Sequence, residues 1–516
     1  MSRLKRYTLA LASGYLAVAA NMLFTFASVP LAFQYLSKAE FGLWALCSQI
    51  AGYLALIDFG MAGAQSRILV DYKDETTGTN YGSTILTALL VGAVQGLVLL
   101  AGGAVVLWLL GPMPGVPADL GRQFRWLMFS QCALVAAGFL TRIVGNLLWA
   151  HQRSDVGNVI LLFQFVVNYA VMWAAFANGA GVFSLLWGLL ASTVVALVFS
   201  IAACARLKFF PSRSRWGRPT WQRFKELFAF GKDVFVFTLG SQMVNTSQTI
   251  LISPLMGLEA AATWSVCIRP FLLAMLLVWR VLDFSATPLS EMLVRGEHER
   301  FFDRFRGVTV LTGAMAVVAG VVFAACNQPF VQLWTQGKVG WSVWNDVLLA
   351  IWGVFMAVQR CHCGLLGVRK DFGWVKYVYL AEGAVFVGLA LVAARPFGFI
   401  GVIGSSLIAT LSMSFLWGLR RSRSDFGLSW PQVLRWLEPA GRILMVLAPM
   451  AALLRWAVTG LAPVPALILL ATSLGLVGGW LLFRLGLDQP MQARLAARVP
   501  GWMKSLLLAG LSRPSA

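Results

Sequence analysis

Charge is scarce in this chain. Asp, Glu, Lys and Arg make up 12% of its 516 residues, about half the ~25% of an ordinary soluble domain. No polar stretch is long enough to form a separate catalytic domain, so the chain is not expected to be an enzyme. Acids are the scarcer sign, 21 Asp and Glu against 41 Lys and Arg, and only three histidines occur. No Ser-His-Asp or paired-carboxylate arrangement stands out, and no cofactor is expected. The seven cysteines are scattered through apolar segments without the spacing of a disulfide framework, and buried reduced thiols are the default for that pattern. Cys361-His362-Cys363 imitates a metal cluster, but three adjacent helical residues point apart and lack the spacing of zinc ligands, so no metal is expected.

What fills the chain is hydrophobic residues, 59% of the total. They recur in runs of about 20, the length that crosses ~30 Å of hydrocarbon. The runs predict an all-α polytopic membrane protein of fourteen helices: 8–34, 41–68, 83–110, 123–150, 156–177, 181–205, 227–254, 260–290, 307–329, 343–367, 373–394, 397–419, 440–460 and 463–485. Met1 to Ala20 imitates a signal peptide, with Arg3, Lys5 and Arg6 before an apolar run, but the run continues to Leu36 and reads as an uncleaved first helix.

The net charge of +20 would suggest nucleic acid in a soluble protein. Here the basic residues gather in alternate loops, which is the positive-inside pattern, and no nucleic-acid partner is expected. Lys73, Arg153, Arg206 to Lys225, Arg295 to Arg306, Arg369, Lys370, Arg420 to Arg423, Arg494, Arg498 and Lys504 fall on one side. Lys38, Arg122, Arg125, Lys338, Arg395 and Arg455 fall on the other. The split puts both termini in the cytoplasm.

The organisation expected is an N-lobe at 1–205, a basic linker at 206–226, a C-lobe at 227–419, a cytoplasmic connection at 420–439, two further helices at 440–487 and a tail at 488–516. The linker, rich in Arg, Lys and Trp, reads as solvated chain lying along lipid headgroups. Gly92-x-x-x-Gly96 and Gly475-x-x-x-Gly479 predict close helix packing. Trp334, Trp341 and Trp344 suit an outer interfacial loop. Leu428 to Leu437 and Met491 to Leu511 read as surface helices.

A pattern repeats between the halves. Trp44-Ala45-Leu46-Cys47 returns as Trp264-Ser265-Val266-Cys267, at 264 − 44 = 220 positions, and Asp58-Phe59 as Asp283-Phe284 a few residues out of step. Glu40 and Glu259 occupy the turn before each copy. Two halves meeting at a central site is a common transporter plan. Asp58-Phe59-Gly60 also spells a kinase magnesium motif, but none of the accompanying kinase elements is present.

An ionisable residue at membrane depth costs about 2.5 to 3.5 kcal/mol even on lenient scales, so each marks a partner or a wet cavity. The set is Asp58, Arg142, Arg269, Arg280, Asp283, Arg360 and Glu382, with Arg67 and Lys232 nearer the inner surface. Ion pairing or snorkelling suits Arg67, Lys232, Arg142 and Arg360. Arg280 and Asp283, three apart, share a helix face and are expected to neutralise each other. Arg269 precedes Pro270, which is expected to break helix eight, and broken helices at depth line cavities. Guanidinium groups favour bidentate contact with phosphate, so an anionic phosphate substrate fits.

The segments YLSKAEFGLWAL, ALIDFGMAGAQSRI, LLWAHQRSDVGN and LLGVRKDFGWVKYV give the chain a likeness that covers nearly its full length. It resembles the polysaccharide-exporting branch of the MOP superfamily, which holds the Wzx-type O-antigen flippases and is related to lipid II flippases. The resemblance implies two six-helix lobes in a V around a central cavity, plus two C-terminal helices. It implies a bacterial inner-membrane flippase that turns an undecaprenyl-diphosphate-linked oligosaccharide to the outer leaflet by alternating access, for O-antigen or exopolysaccharide synthesis. Membrane lipids and a polysaccharide polymerase or export machinery are the implied partners. A cavity arginine on helix eight matches Arg269 or Arg280; some relatives carry a charge on helix one, where this chain offers only Asn21. The rivals are a MATE-type cation antiporter, which would want acids in the cavity, a polysaccharide polymerase or ligase, which would need a large outer loop, and a non-catalytic component of a polysaccharide synthase.

Overall fold

The computed structural model describes residues 3–73, 78–109, 116–151, 153–369 and 373–496. Over these the chain is helix joined by short turns, without a β-strand. Twelve helical stretches among the described residues are long and apolar enough to cross a membrane. One of them, Val375–Asp425, runs 51 residues, about twice what a single crossing needs. Gly398, at φ 59° and ψ −138°, breaks it into the two limbs expected at 373–394 and 397–419. The expected span 227–254 is also helical but split into two helices at Thr246 and Ser247.

The chain divides into two compact units, Met1–Ser265 and Val266–Ala516. The first holds α1 (Arg3–Tyr35), α2 (Lys38–Leu54), α3 (Met61–Tyr72), α4 (Asn80–Leu109), α5 (Gly121–Ala150), α6 (Ser154–Ala177), α7 (Phe183–Arg206), α8 (Trp221–Asn245), α9 (Gln248–Met256) and the start of α10 (Leu258–Val294). The central helix is α5, which packs on α2, α3, α4 and α7. Its Phe124, Leu127, Met128, Phe139 and Leu147 are buried. Gly92 lets α4 approach it: a Cβ there would lie 2.8 Å from the Phe139 carbonyl oxygen. Glu40 has a local job, because Ser37 and Glu40 form a capping box, with backbone N–H groups donating to each other's side chains at 2.9 and 3.2 Å.

The expected span 41–68 is not one helix. After α2 the chain tightens into a 3-10 turn, Ala55–Asp58, and then reverses through Phe59 and Gly60, both left-handed at φ 49° and 71°. Asp58 therefore sits at a break rather than inside a helix.

The basic linker is largely exposed, as expected, but it is also fastened. Tyr81 donates to the Phe209 carbonyl at 3.0 Å and Ser83 to that of Arg218 at 2.7 Å. Arg223 donates to Glu226 at 2.7 Å and Asn80 at 2.8 Å, and its guanidinium lies over the Tyr72 ring. The linker is thus fastened to the start of α4, because its own carbonyls and Arg223 find partners there.

The second unit continues α10 and adds α11 (His298–Trp334), α12 (Val343–Arg369), α13 (Val375–Thr410), α14 (Leu416–Asp425), α15 (Trp430–Leu434), α16 (Glu438–Ala457), α17 (Pro463–Leu481) and α18 (Gln489–Ala496). Here α11 is central and packs on α12, α16 and α17. Gly475 and Gly479 face open space, so the expected packing motif in α17 is not one; Gly478 makes the close approach, where a Cβ would meet Val318 Cγ1 at 2.6 Å. Of the three tryptophans expected at headgroup level only Trp344 is exposed, while Trp334 and Trp341 are buried. The segment expected as a surface helix at Leu428 to Leu437 is seated, with Val433 buried and Trp436 packed on Phe301 and Phe305. Of Met491 to Leu511, residues 497–511 lie outside the described residues.

Candidate functional site

Two intramembrane ion pairs stand out, one in each unit. In the first, the break after α2 holds Asp58, whose Oδ1 accepts from Arg142 Nη2 on α5 at 2.6 Å. The broken turn exposes backbone carbonyls, and Gln95 of α4 donates to those of Ile57 and Asp58 at 3.4 and 3.1 Å. Arg142 also lies 5.4 Å from the centre of the Phe139 ring, one turn back on its own helix. An unpaired carbonyl or carboxylate here would be costly, and α4 and α5 supply partners through Gln95 and Arg142.

In the second unit, Arg360 Nη2 on α12 donates to Asp283 Oδ1 on α10 at 3.0 Å. The guanidinium lies 5.0 Å from the centre of the Trp279 ring, one turn before Asp283. The expected neutralisation of Asp283 by Arg280 does not occur. They share a helix, but the carboxylate reaches across to α12, and Arg280 is exposed with no ion pair or hydrogen bond among the described residues.

Arg269 is half-buried on α10. The break expected at Pro270 is absent, and α10 runs unbroken through Pro270 and Pro288. The neighbouring turn is supported from α11, where Asn327 donates to the Cys267 carbonyl at 3.3 Å. Glu382 stands apart from the arginines: it is buried, and its Oε1 accepts from Thr410 on the second limb of α13 at 2.8 Å. Asn21 is half-buried on α1 and makes no hydrogen bond among the described residues. The side chains of Arg67 and Lys232 lie outside the described residues. The structure therefore joins Asp58 with Arg142 and Asp283 with Arg360, and leaves Arg269, Arg280, Glu382 and Asn21 out of these pairs.

Two polar clusters in the second unit are not foreseen from sequence. Arg455 of α16 donates to the Ala325 carbonyl at 3.0 Å and to Gln328 at 2.7 Å. Pro329 in α11 has no N–H for that carbonyl four residues back, so Arg455 supplies the missing donor. The signal is Pro329 itself. Asp346, fully buried, accepts from Asn327 at 2.6 Å and Trp341 at 2.7 Å. His362 bonds with Ser422 at 2.8 Å and stacks on Trp436, while Cys363 turns to the Ser414 carbonyl, so the Cys-His-Cys triplet faces separate neighbours.

Each unit also carries an apolar groove. That of the first unit, about 500 Å³, is lined by Phe59, Met61, Leu90, Val94 and Trp221. That of the second, about 650 Å³, is lined by Pro270, Leu277 and Val278 of α10 with Val318, Val322 and Ile468.

The sequence profile of the family described as polysaccharide biosynthesis protein matches residues 10–289, more than half of the chain. Among solved structures, the chain is similar to the lipid II flippase MurJ in its inward closed conformation, with TM-score 0.68 and 14% identity over 92% of this chain and 99% of that one. It is similar to an inward-facing multidrug resistance MATE family transporter of the MOP superfamily, with TM-score 0.58 and 14% identity over 77% of this chain and 94% of that one. An outward-facing transporter of the same description gives 0.55 and 14% over 81% and 95%. At that identity the likenesses establish the fold. No curated protein matches the chain in sequence.

Proposed function

Because this chain belongs to the polysaccharide biosynthesis protein family and has the fold of MOP-superfamily transporters, we propose that it is a flippase for an undecaprenyl-diphosphate-linked oligosaccharide. It moves this lipid from the cytoplasmic to the outer leaflet of the bacterial inner membrane by alternating access, with both termini in the cytoplasm. The observation that carries the reading is the sign of the exposed span charge that has no partner. Asp58 and Asp283 are each engaged by an arginine, Glu382 and Asp346 are buried on neutral hydrogen-bond donors, and Arg280 remains exposed and uncompensated among the described residues. A cation antiporter would need an exposed acid instead.

The chemistry is consistent with a diphosphate headed by sugar and tailed by prenyl chain. Arginine binds phosphate oxygens in pairs, and an apolar groove on the same helix as Arg269 and Arg280 suits the hydrocarbon. The membrane potential favours export, since each negative charge moved outward releases about 2.3 kcal/mol per 100 mV.

The test is flipping of a fluorescent undecaprenyl-diphosphate oligosaccharide in proteoliposomes, paired with surface polysaccharide in a flippase-null strain. Arg280→Ala and Arg269→Ala are each expected to lower both at least tenfold at matched protein level, with Arg269→Lys retaining part. Proteoliposomes that leave the lipid in place but exchange a cationic dye for sodium or protons would replace the flippase with the antiporter.

A further inference from the structure

Both paired guanidinium groups are under-used. Arg142 holds Asp58 through Nη2 alone among the described residues, and its Nε is buried with no acceptor. Arg360 repeats this: Nη2 meets Asp283, and Nε is buried with no acceptor. A guanidinium carries five donors in a fork that suits two oxygens at once. Each arginine is thus held by one carboxylate oxygen where a second bond is available to it, and a donor buried without a partner is a standing penalty.

Both pairs are also reachable. The side chains of Arg142 and Asp58 are 25% and 14% exposed, and those of Arg360 and Asp283 43% and 38%. Phe59, next to Asp58, lines the apolar groove of the first unit, and Leu277 and Val278, on the helix of Asp283, line that of the second.

We propose that each Asp–Arg pair is an anion subsite closed by its own aspartate, and that a phosphate group of the substrate displaces the carboxylate and takes the guanidinium. The identity of the anion, a lipid diphosphate, rests on the flippase reading above. When the site is empty the aspartate keeps the arginine from standing alone at depth. It is also a tethered competitor, present at millimolar effective concentration or more. Chloride and other singly charged anions lose to it. A diphosphate, with about two charges and several oxygens for the fork, wins. The released carboxylate must then face a wet cavity, as charge at that depth requires.

The experiment is calorimetric binding of inorganic pyrophosphate, and separately of undecaprenyl diphosphate, to the full-length protein in nanodiscs, with thermal unfolding of each variant. Asp58→Asn and Asp283→Asn are expected to bind pyrophosphate on the order of tenfold tighter than wild type, because the tethered competitor is gone, and chloride then competes. Adding Arg142→Gln or Arg360→Gln to its partner's Asn variant is expected to erase the gain. A swapped pair, Asp283→Arg with Arg360→Asp, is expected to unfold like wild type yet lose transport. Asn variants that bind pyrophosphate no tighter and unfold earlier, or a swapped pair that transports normally, would make these structural ion pairs and overturn the subsites. Tighter pyrophosphate binding by the Asn variants, with no undecaprenyl diphosphate binding by wild type, would reject the flippase and keep the subsites. The reverse result would keep the flippase and reject the subsites.

Discussion

The pair Asp58–Arg142 and the pair Asp283–Arg360 join the same side chains, each reaching from one span to the second span after it, yet they are built on different backbones. Asp58 is presented by a 3-10 turn and two left-handed residues, and Gln95 must satisfy the carbonyls that this break exposes. Asp283 lies in an unbroken helix and asks nothing of its surroundings but the arginine. The first pair is the more enclosed, at 14% and 25% exposure against 38% and 43%. A backbone break fixes an acid in place at the cost of further partners; a continuous helix leaves it free to exchange them. The second pair should therefore yield its arginine more readily than the first.

Removing one partner from each pair should break the likeness most visibly. Arg142→Ala takes the arginine from a mostly buried carboxylate and is expected to destabilise the protein by about 2 to 3 kcal/mol, somewhat below the ~3–5 kcal/mol of a fully buried pair. Denaturant unfolding in detergent, followed by tryptophan fluorescence, reads it. An effect under ~0.5 kcal/mol would mean that the first pair is as open as the second.

Gly60→Ala sharpens the backbone side of the comparison. A side chain at φ 71° costs about 1 to 2 kcal/mol, and the loss should be smaller when Arg142 is already Ala, because both act on the placement of Asp58. Full additivity in that double-mutant cycle would uncouple the break from the pair. The smallest effect belongs to Arg360→Ala, at most about 1 kcal/mol for a pair this exposed. If it matches Arg142→Ala, the difference in exposure has no energetic meaning.

Much of the fold is legible in the sequence. Apolar runs of spanning length can satisfy their backbones only as helices or closed barrels, so the fourteen segments can be read from hydropathy and length. Asp58, Arg142, Asp283 and Arg360 are noticeable because charge at that depth is costly. The repeat of Trp44 to Cys47 at Trp264 to Cys267 points to the two acids. What fails is inference from local spacing. Arg280 and Asp283 lie on one face, yet the carboxylate takes Arg360. Gly92 and Gly475 open the same motif, yet only Gly92 meets a neighbouring backbone. Trp341 lies in a loop that reads as interfacial, yet its ring turns inward to Asp346.

The sequence by itself determined that this is a helical membrane protein, roughly where its spanning segments run and which charged residues fall among them, because length and hydropathy act on each segment separately. Only the tertiary structure decided which arginine neutralises which aspartate, which glycine is a contact, where α2 ends in a left-handed turn and that Arg455 serves the carbonyl freed by Pro329. Those outcomes depend on the rotation and height of one helix against another. Two residues more than a hundred positions apart, such as Arg455 and Ala325, acquire their relation only when the helices carrying them have packed.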